Sequence, residues 1–62
     1  MKLKEYRTTL GISYREAAKQ IGVDRNGYLG WEHGRIIPNR DNMERIKNWS
    51  GGKVQPGDFY DA

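Results

Sequence analysis

The stretch that decides the fold is Ile12–Arg35, ISYREAAKQIGVDRNGYLGWEHGR. Ser13 stands three residues before Glu16, the spacing of a capping box that starts a helix. From Tyr14 to Ile21, the residues Ala17, Ala18 and Ile21 form a narrow apolar face at helical spacing. Gly22 closes that helix, and only Gly22 and Val23 separate it from Asp24, a good N-cap for the next. Tyr28 and Trp31 are again three apart, and Gly34 ends a helix read as Arg25–His33. Two short helices joined by a tight turn containing Gly are a helix-turn-helix unit. Each demand of that unit has a residue to meet it. Ala18 is small where the helices approach closely, and Gly22 tolerates the positive φ of the turn. Val23, Tyr28 and Trp31 are expected to bury under the second helix of the pair and fix its angle.

The flanks extend the same pattern. Upstream, Leu3, Tyr6 and Leu10 share one face of a first helix that Gly11 stops. Downstream, Asn39 follows Pro38 and can cap a fourth helix whose inner face carries Met43, Ile46 and Trp49. Ser50, Gly51 and Gly52 break the pattern, and Val54 returns to the core. Pro56 suits the first position of a short last turn carrying Phe59. No repeat, low-complexity run or strand is legible. The expected architecture is all-α, a compact bundle of about five short helices forming a single domain over residues 1–62.

Composition narrows the function. The chain of 62 residues has no cysteine, so it lacks both disulfide staples and Cys-based zinc sites. One histidine, His33, cannot build a metal site alone, and neither a metal nor another cofactor is expected. No apolar run approaches the roughly 18 residues that cross a bilayer, and the N-terminus lacks the apolar stretch of a secretion signal. A cytoplasmic protein without a membrane partner is expected. No nucleophile–base set or phosphate-cradling glycine loop is present, and Glu5, Glu16, Asp24 and Glu32 read as caps and surface charge. An enzyme or a binder of small molecules is therefore not expected. The net charge of +3 suits a polyanionic partner without proving one. Tyr28, Trp31, Ile46, Trp49 and Phe59 read as core, because no basic residues interleave with them as base-stacking surfaces require. Tyr6 and Tyr60 either pack together or leave Tyr60 on a partner surface.

Residues 12–35 resemble the helix-turn-helix of the Cro and phage-repressor (XRE) family. The continuation IIPNRDNMERIKNWSGGKVQPGDFY, residues 36–60, resembles the rest of that lambda-repressor-like domain, including a Gly-Gly-x-Val-x-Pro-x-Asp-Phe ending. The resemblance covers about residues 2 to 60. It implies binding to double-stranded operator DNA, in a phage or prophage setting, as a homodimer at least on DNA. The third helix would then be the recognition helix, its N-terminal part facing base edges in the major groove. Arg25 and Asn26 match the family's main base-reading positions. Arg25 suits guanine O6 and N7, and Asn26 suits adenine N6 and N7. Leu29, outside the core by helical period, could meet a thymine methyl. Ser13 and Tyr14 match phosphate-touching positions at the start of the second helix, where the dipole also favours an anion. Arg35 and Arg40 match flanking basic positions that hold phosphate, and His33 is read as a solvated or dipole-complementing residue.

Two departures from the family pattern stand out. Gly27 and Gly30 lie inside the recognition helix, and an interior Gly costs about 1 kcal/mol relative to Ala. Gly30 occupies a position that often carries a reading side chain, so the helix either forgoes that contact, approaches DNA closely, or frays until DNA firms it. Tyr14 replaces the more usual Gln. The expected function is a transcriptional regulator, a Cro-like repressor occupying a palindromic operator. The rivals are a protein-interaction module of the same fold, antitoxin-like, and an architectural excision factor. A chain this short leaves no room for a sensing domain.

Overall fold

In the computed structural model, which describes residues 1–60, four α-helices are followed by a single 3-10 turn. They are α1 (Leu3–Leu10), α2 (Tyr14–Ile21), α3 (Arg25–Glu32) and α4 (Arg40–Trp49), with the 3-10 turn at Pro56–Phe59. No strand occurs among the described residues. The expected count of five helices is therefore one too many. Pro56 does open a helical turn, but four residues close only 3-10 bonds.

Each helix starts where a side chain can take up its free N–H groups. Ser13 Oγ accepts from the Glu16 N–H at 3.2 Å. Asp24 Oδ2 accepts from Asn26 and Gly27 at 3.1 and 3.2 Å. Asn39 Oδ1 accepts from Asn42 at 2.9 Å. At α1 the Glu5 carboxylate accepts from the Lys2 N–H at 3.0 Å. Gly22 ends α2 with φ of 88°, and its N–H and that of Val23 both donate to the Ala18 carbonyl. α3 stops one residue before the expected His33, which is its C-cap, and Gly34 follows at positive φ.

The core is Leu3, Ala17, Ala18, Ile21, Tyr28, Trp31, Ile46 and Val54, with Tyr6, Ile12, Tyr14, Val23, Trp49 and Phe59 packed around it. α2 packs most extensively on α3, and Ala17 and Ala18 of α2 are both buried. Ser50 is buried but satisfied, donating to the Lys47 carbonyl and accepting from the Val54 N–H. The N-terminal ammonium reaches the Lys53 carbonyl and Asp58, tying the two ends of the chain together.

Three expectations are corrected here, and of the two alternatives for Tyr6 and Tyr60 the packed pair is not found. Leu10 is exposed. Met43 is half-buried and lies outside the core cluster. Tyr6 does not meet Tyr60. It packs edge-on against Trp49 at 5.0 Å, while Tyr60 is exposed. Glu32 is not surface charge. Its side chain is only 3% exposed and binds Arg7 of α1 through two bonds of 2.7 and 3.3 Å.

Candidate nucleic-acid interface

The interface begins with the rotation of α3. Successive helical residues turn by about 100°, so Arg25, Leu29 and Asn26 fall within one stripe roughly 100° wide. Arg25 and Asn26 are exposed and Leu29 is half-buried. Tyr28 and Trp31 lie on the far side and are buried, Glu32 falls between Tyr28 and Arg25, and Gly30, next to Asn26 by rotation, is also buried. The three residues read as base-contacting thus share the solvent side of one helix.

Asp24 shapes what that helix end can do. Its carboxylate already takes the Asn26 and Gly27 N–H groups, so the start of α3 offers side chains rather than an open anion site. The aim of those side chains is fixed from behind. Tyr28 and Trp31 are buried and meet edge-on with centroids 6.1 Å apart. The Arg7–Glu32 pair holds the last turn of α3 to α1, and Arg7 Nη1 also donates to the Ile12 carbonyl at 2.9 Å. Glu32 raises the Arg7 pKa further above its ordinary range, chiefly by hydrogen bonding. The Tyr28 hydroxyl is buried with no hydrogen bond closing on it. Burial first, and then the nearby Glu32 carboxylate, push its pKa up strongly.

Gly30 has a packing role inside the fold. It is buried. A Cβ there would lie 2.7 Å from Ile36 Cδ1 and 3.3 Å from Ile36 Cβ. The Gly30 carbonyl accepts from both Arg35 and Ile36, at 2.9 and 3.2 Å. A side chain is missing at this position because the chain leaving α3 folds back over it.

The remaining residues expected to contact DNA lie outside α3. Ser13 is exposed at the start of α2 and engaged as its cap. Tyr14 is half-buried against the core, so its ring is anchored. Arg35 is exposed beyond α3, and Arg40 is exposed as the first residue of α4. His33 is exposed at the α3 C-terminus. Two further cations were not singled out from sequence. The Arg15 guanidinium lies 5.7 Å over the Tyr14 ring. Nη1 of Arg45, on α4, stands 3.8 Å from where a Cβ on Gly22 would lie, over the turn of the motif. The place of Arg15 beside Tyr14 could have flagged it, whereas only tertiary packing brings Arg45 to the turn. Among the described residues, no group of His, Asp and Glu is placed to hold a metal ion, and no helix is long and apolar enough to cross a membrane.

The family model for the helix-turn-helix matches residues 3–47, all four helices except the end of α4. Neither the curated proteins nor the solved structures yield a match. The matched span contains the capped α2–α3 pair and the exposed stripe of α3. The chain belongs to the helix-turn-helix family of DNA-binding transcriptional regulators, in its Cro and repressor type.

Proposed function

We propose that this protein is a Cro-like repressor that occupies a palindromic operator as a homodimer and blocks transcription by occupancy. The observation that carries the reading is the stripe of Arg25, Asn26 and Leu29 on the solvent side of a capped, back-braced helix. In this reading Arg25 and Asn26 read purine edges with paired hydrogen bonds, and Leu29 takes a thymine methyl. Ser13, Tyr14, Arg35 and Arg40 hold phosphates on either side and set the register of the helix in the groove. In this reading the protein acts in the cytoplasm, and its concentration and site affinity set the degree of repression.

Homodimer binding follows from size. A single module of this kind buries on the order of 600–1,000 Å² on DNA, and two copies on half-sites about 34 Å apart double the contact and the sequence read. The test is selection of random duplex DNA by the purified protein, with sequencing of what is retained. Recovery of a palindrome with half-sites one helical turn apart supports the proposal. Recovery of no motif at low and moderate salt overturns it in favour of a protein-interaction module.

A further inference from the structure

An open cavity of about 560 Å³ lies where α1, the end of α3 and the 3-10 turn meet. Leu3, Trp31 and Phe59 give it an apolar wall, and its volume is in the range that small organic ligands occupy. Its walls come from three separated segments, so no single stretch of sequence announces it. Five ionisable side chains also line it, Lys2, Lys4, Glu5, Glu32 and Asp58, and four of them are already engaged. Glu32 is held by Arg7, with its side chain 3% exposed. Asp58 accepts from the Gln55 N–H and the N-terminal ammonium. The Glu5 carboxylate accepts from the Lys2 N–H in the first turn of α1, where the helix dipole also favours negative charge. Lys2 has a partner of its own. The fifth, Lys4, is exposed, and its ammonium meets no acceptor among the described residues.

The wall holds a second unmet group. Trp31 is only 7% exposed, yet its indole N–H donates to nothing among the described residues, whereas the Trp49 indole donates to Gln20 at 2.9 Å. That N–H is not sealed in the core either, since the buried side-chain atom without a partner is the Tyr28 hydroxyl. An unpaired ammonium and an unpaired N–H both call for an acceptor that carries negative charge. A cationic ligand would find the three carboxylates already occupied. We propose that this cavity binds a small organic acid, its apolar body against Leu3, Trp31 and Phe59 and its carboxylate held by Lys4 and the Trp31 N–H. Trp31 lies opposite the stripe of Arg25, Asn26 and Leu29, so the occupant touches α3 on the side turned away from the proposed DNA contact. The inference stands apart from the operator reading, because binding of the acid is measured without DNA.

The probe is phenylacetate, an apolar ring bearing one carboxylate, titrated into the free chain at constant ionic strength. Phenethylamine, the same ring bearing an ammonium, is the control. Proton–nitrogen correlation spectra follow both indole N–H groups, and Trp49, bonded to Gln20, serves as the internal reference. Phenylacetate is expected to bind with a Kd of about 1 mM or below and to shift the Trp31 N–H while that of Trp49 stays in place. Lys4→Gln, at an exposed position, should weaken binding about threefold to tenfold. Trp31→Phe should weaken it by a similar factor, and Lys4→Gln keeps the test decisive if that variant does not fold. An unmoved Trp31 N–H at saturation, an affinity unchanged by Lys4→Gln, or an amine that binds as tightly as the acid each overturns the proposal. So does the absence of any response up to about 20 mM. Failure to recover an operator bears on the DNA reading alone.

Discussion

Arg7→Ala is expected to be among the most damaging substitutions in this protein, although Arg7 looks like an ordinary helix-surface residue in the sequence. Its guanidinium makes two bonds to Glu32 and a third to the Ile12 carbonyl. The two sides of the pair are unequal, with Arg7 18% exposed and Glu32 3%. Removing the arginine strands a nearly inaccessible carboxylate, and breaking a buried pair from one side costs about 3–5 kcal/mol. Water entering the vacated space keeps Arg7→Ala near the lower figure, about 3 kcal/mol. Glu32→Gln keeps the shape and leaves a cation that still has Ile12 and partial solvent, so about 1–2 kcal/mol is expected. Replacing both, as Arg7→Met with Glu32→Leu, should return stability to within about 1 kcal/mol of the wild type, since an apolar pair avoids the desolvation of two charges. A domain of this size holds only about 3–5 kcal/mol in its core, so Arg7→Ala should sit near its midpoint at room temperature. Urea and thermal unfolding followed by fluorescence of Trp31 and Trp49 measure all four proteins, with a Tm change of roughly 4–8 °C per kcal/mol. An Arg7→Ala cost below about 1 kcal/mol, the range of exposed pairs, would refute the reasoning. So would a double variant as unstable as the two single ones summed.

Four further outcomes are expected. Arg25→Ala should cost on the order of 1–3 kcal/mol on the preferred duplex and relax base choice at one position; uniform weakening on every sequence would remove it as a reader. Arg40→Ala should weaken all duplexes similarly and reduce the slope of log K against log salt by about one, and an unchanged slope would take it off the phosphate contacts. Tyr28→Phe removes a buried hydroxyl that closes no hydrogen bond, so neutral-pH stability should hold or rise by about 1 kcal/mol. Because the folded Tyr28 pKa is raised, its contribution is complete below the unfolded value of about 10 and is lost as pH climbs past it. Alkaline urea titrations should therefore show a shallower decline in the Phe variant. Asp58 is the opposite case, its pKa lowered first by the Gln55 N–H and then by the N-terminal ammonium. Its contribution is present above the ordinary carboxylate pKa of about 3.9 and lost as pH falls through the depressed value. Asp58→Asn should flatten the acid limb of a stability–pH curve, and an unaltered limb would exclude that role.

Much of the fold was legible because its signals are local. Ser13, Asp24 and Asn39 cap bonds two or three residues away, and the positive φ of Gly22 belongs to one residue. Such features depend on a few neighbouring dihedrals, which the sequence alone specifies. The period of α3 likewise placed Leu29 outside the core that Tyr28 and Trp31 join, before any packing was known. The family resemblance, borne by the same stretch, supplied the link from that helix to DNA.

What needed the tertiary structure depended on residues far apart in the chain. Arg7 and Glu32 are 25 positions apart, and nothing local distinguishes this glutamate from a solvated one. Tyr6 packs edge-on against Trp49, far along the chain, and Leu10 is left exposed. Gly30 was legible as a glycine inside a helix, but its reason was not. The chain leaving α3 returns over it, and only the closed fold places Ile36 where a Cβ would have been. Backbone conformation is set by neighbours in sequence, whereas burial and charge pairing are set by neighbours in space, and those exist only after the helices have packed.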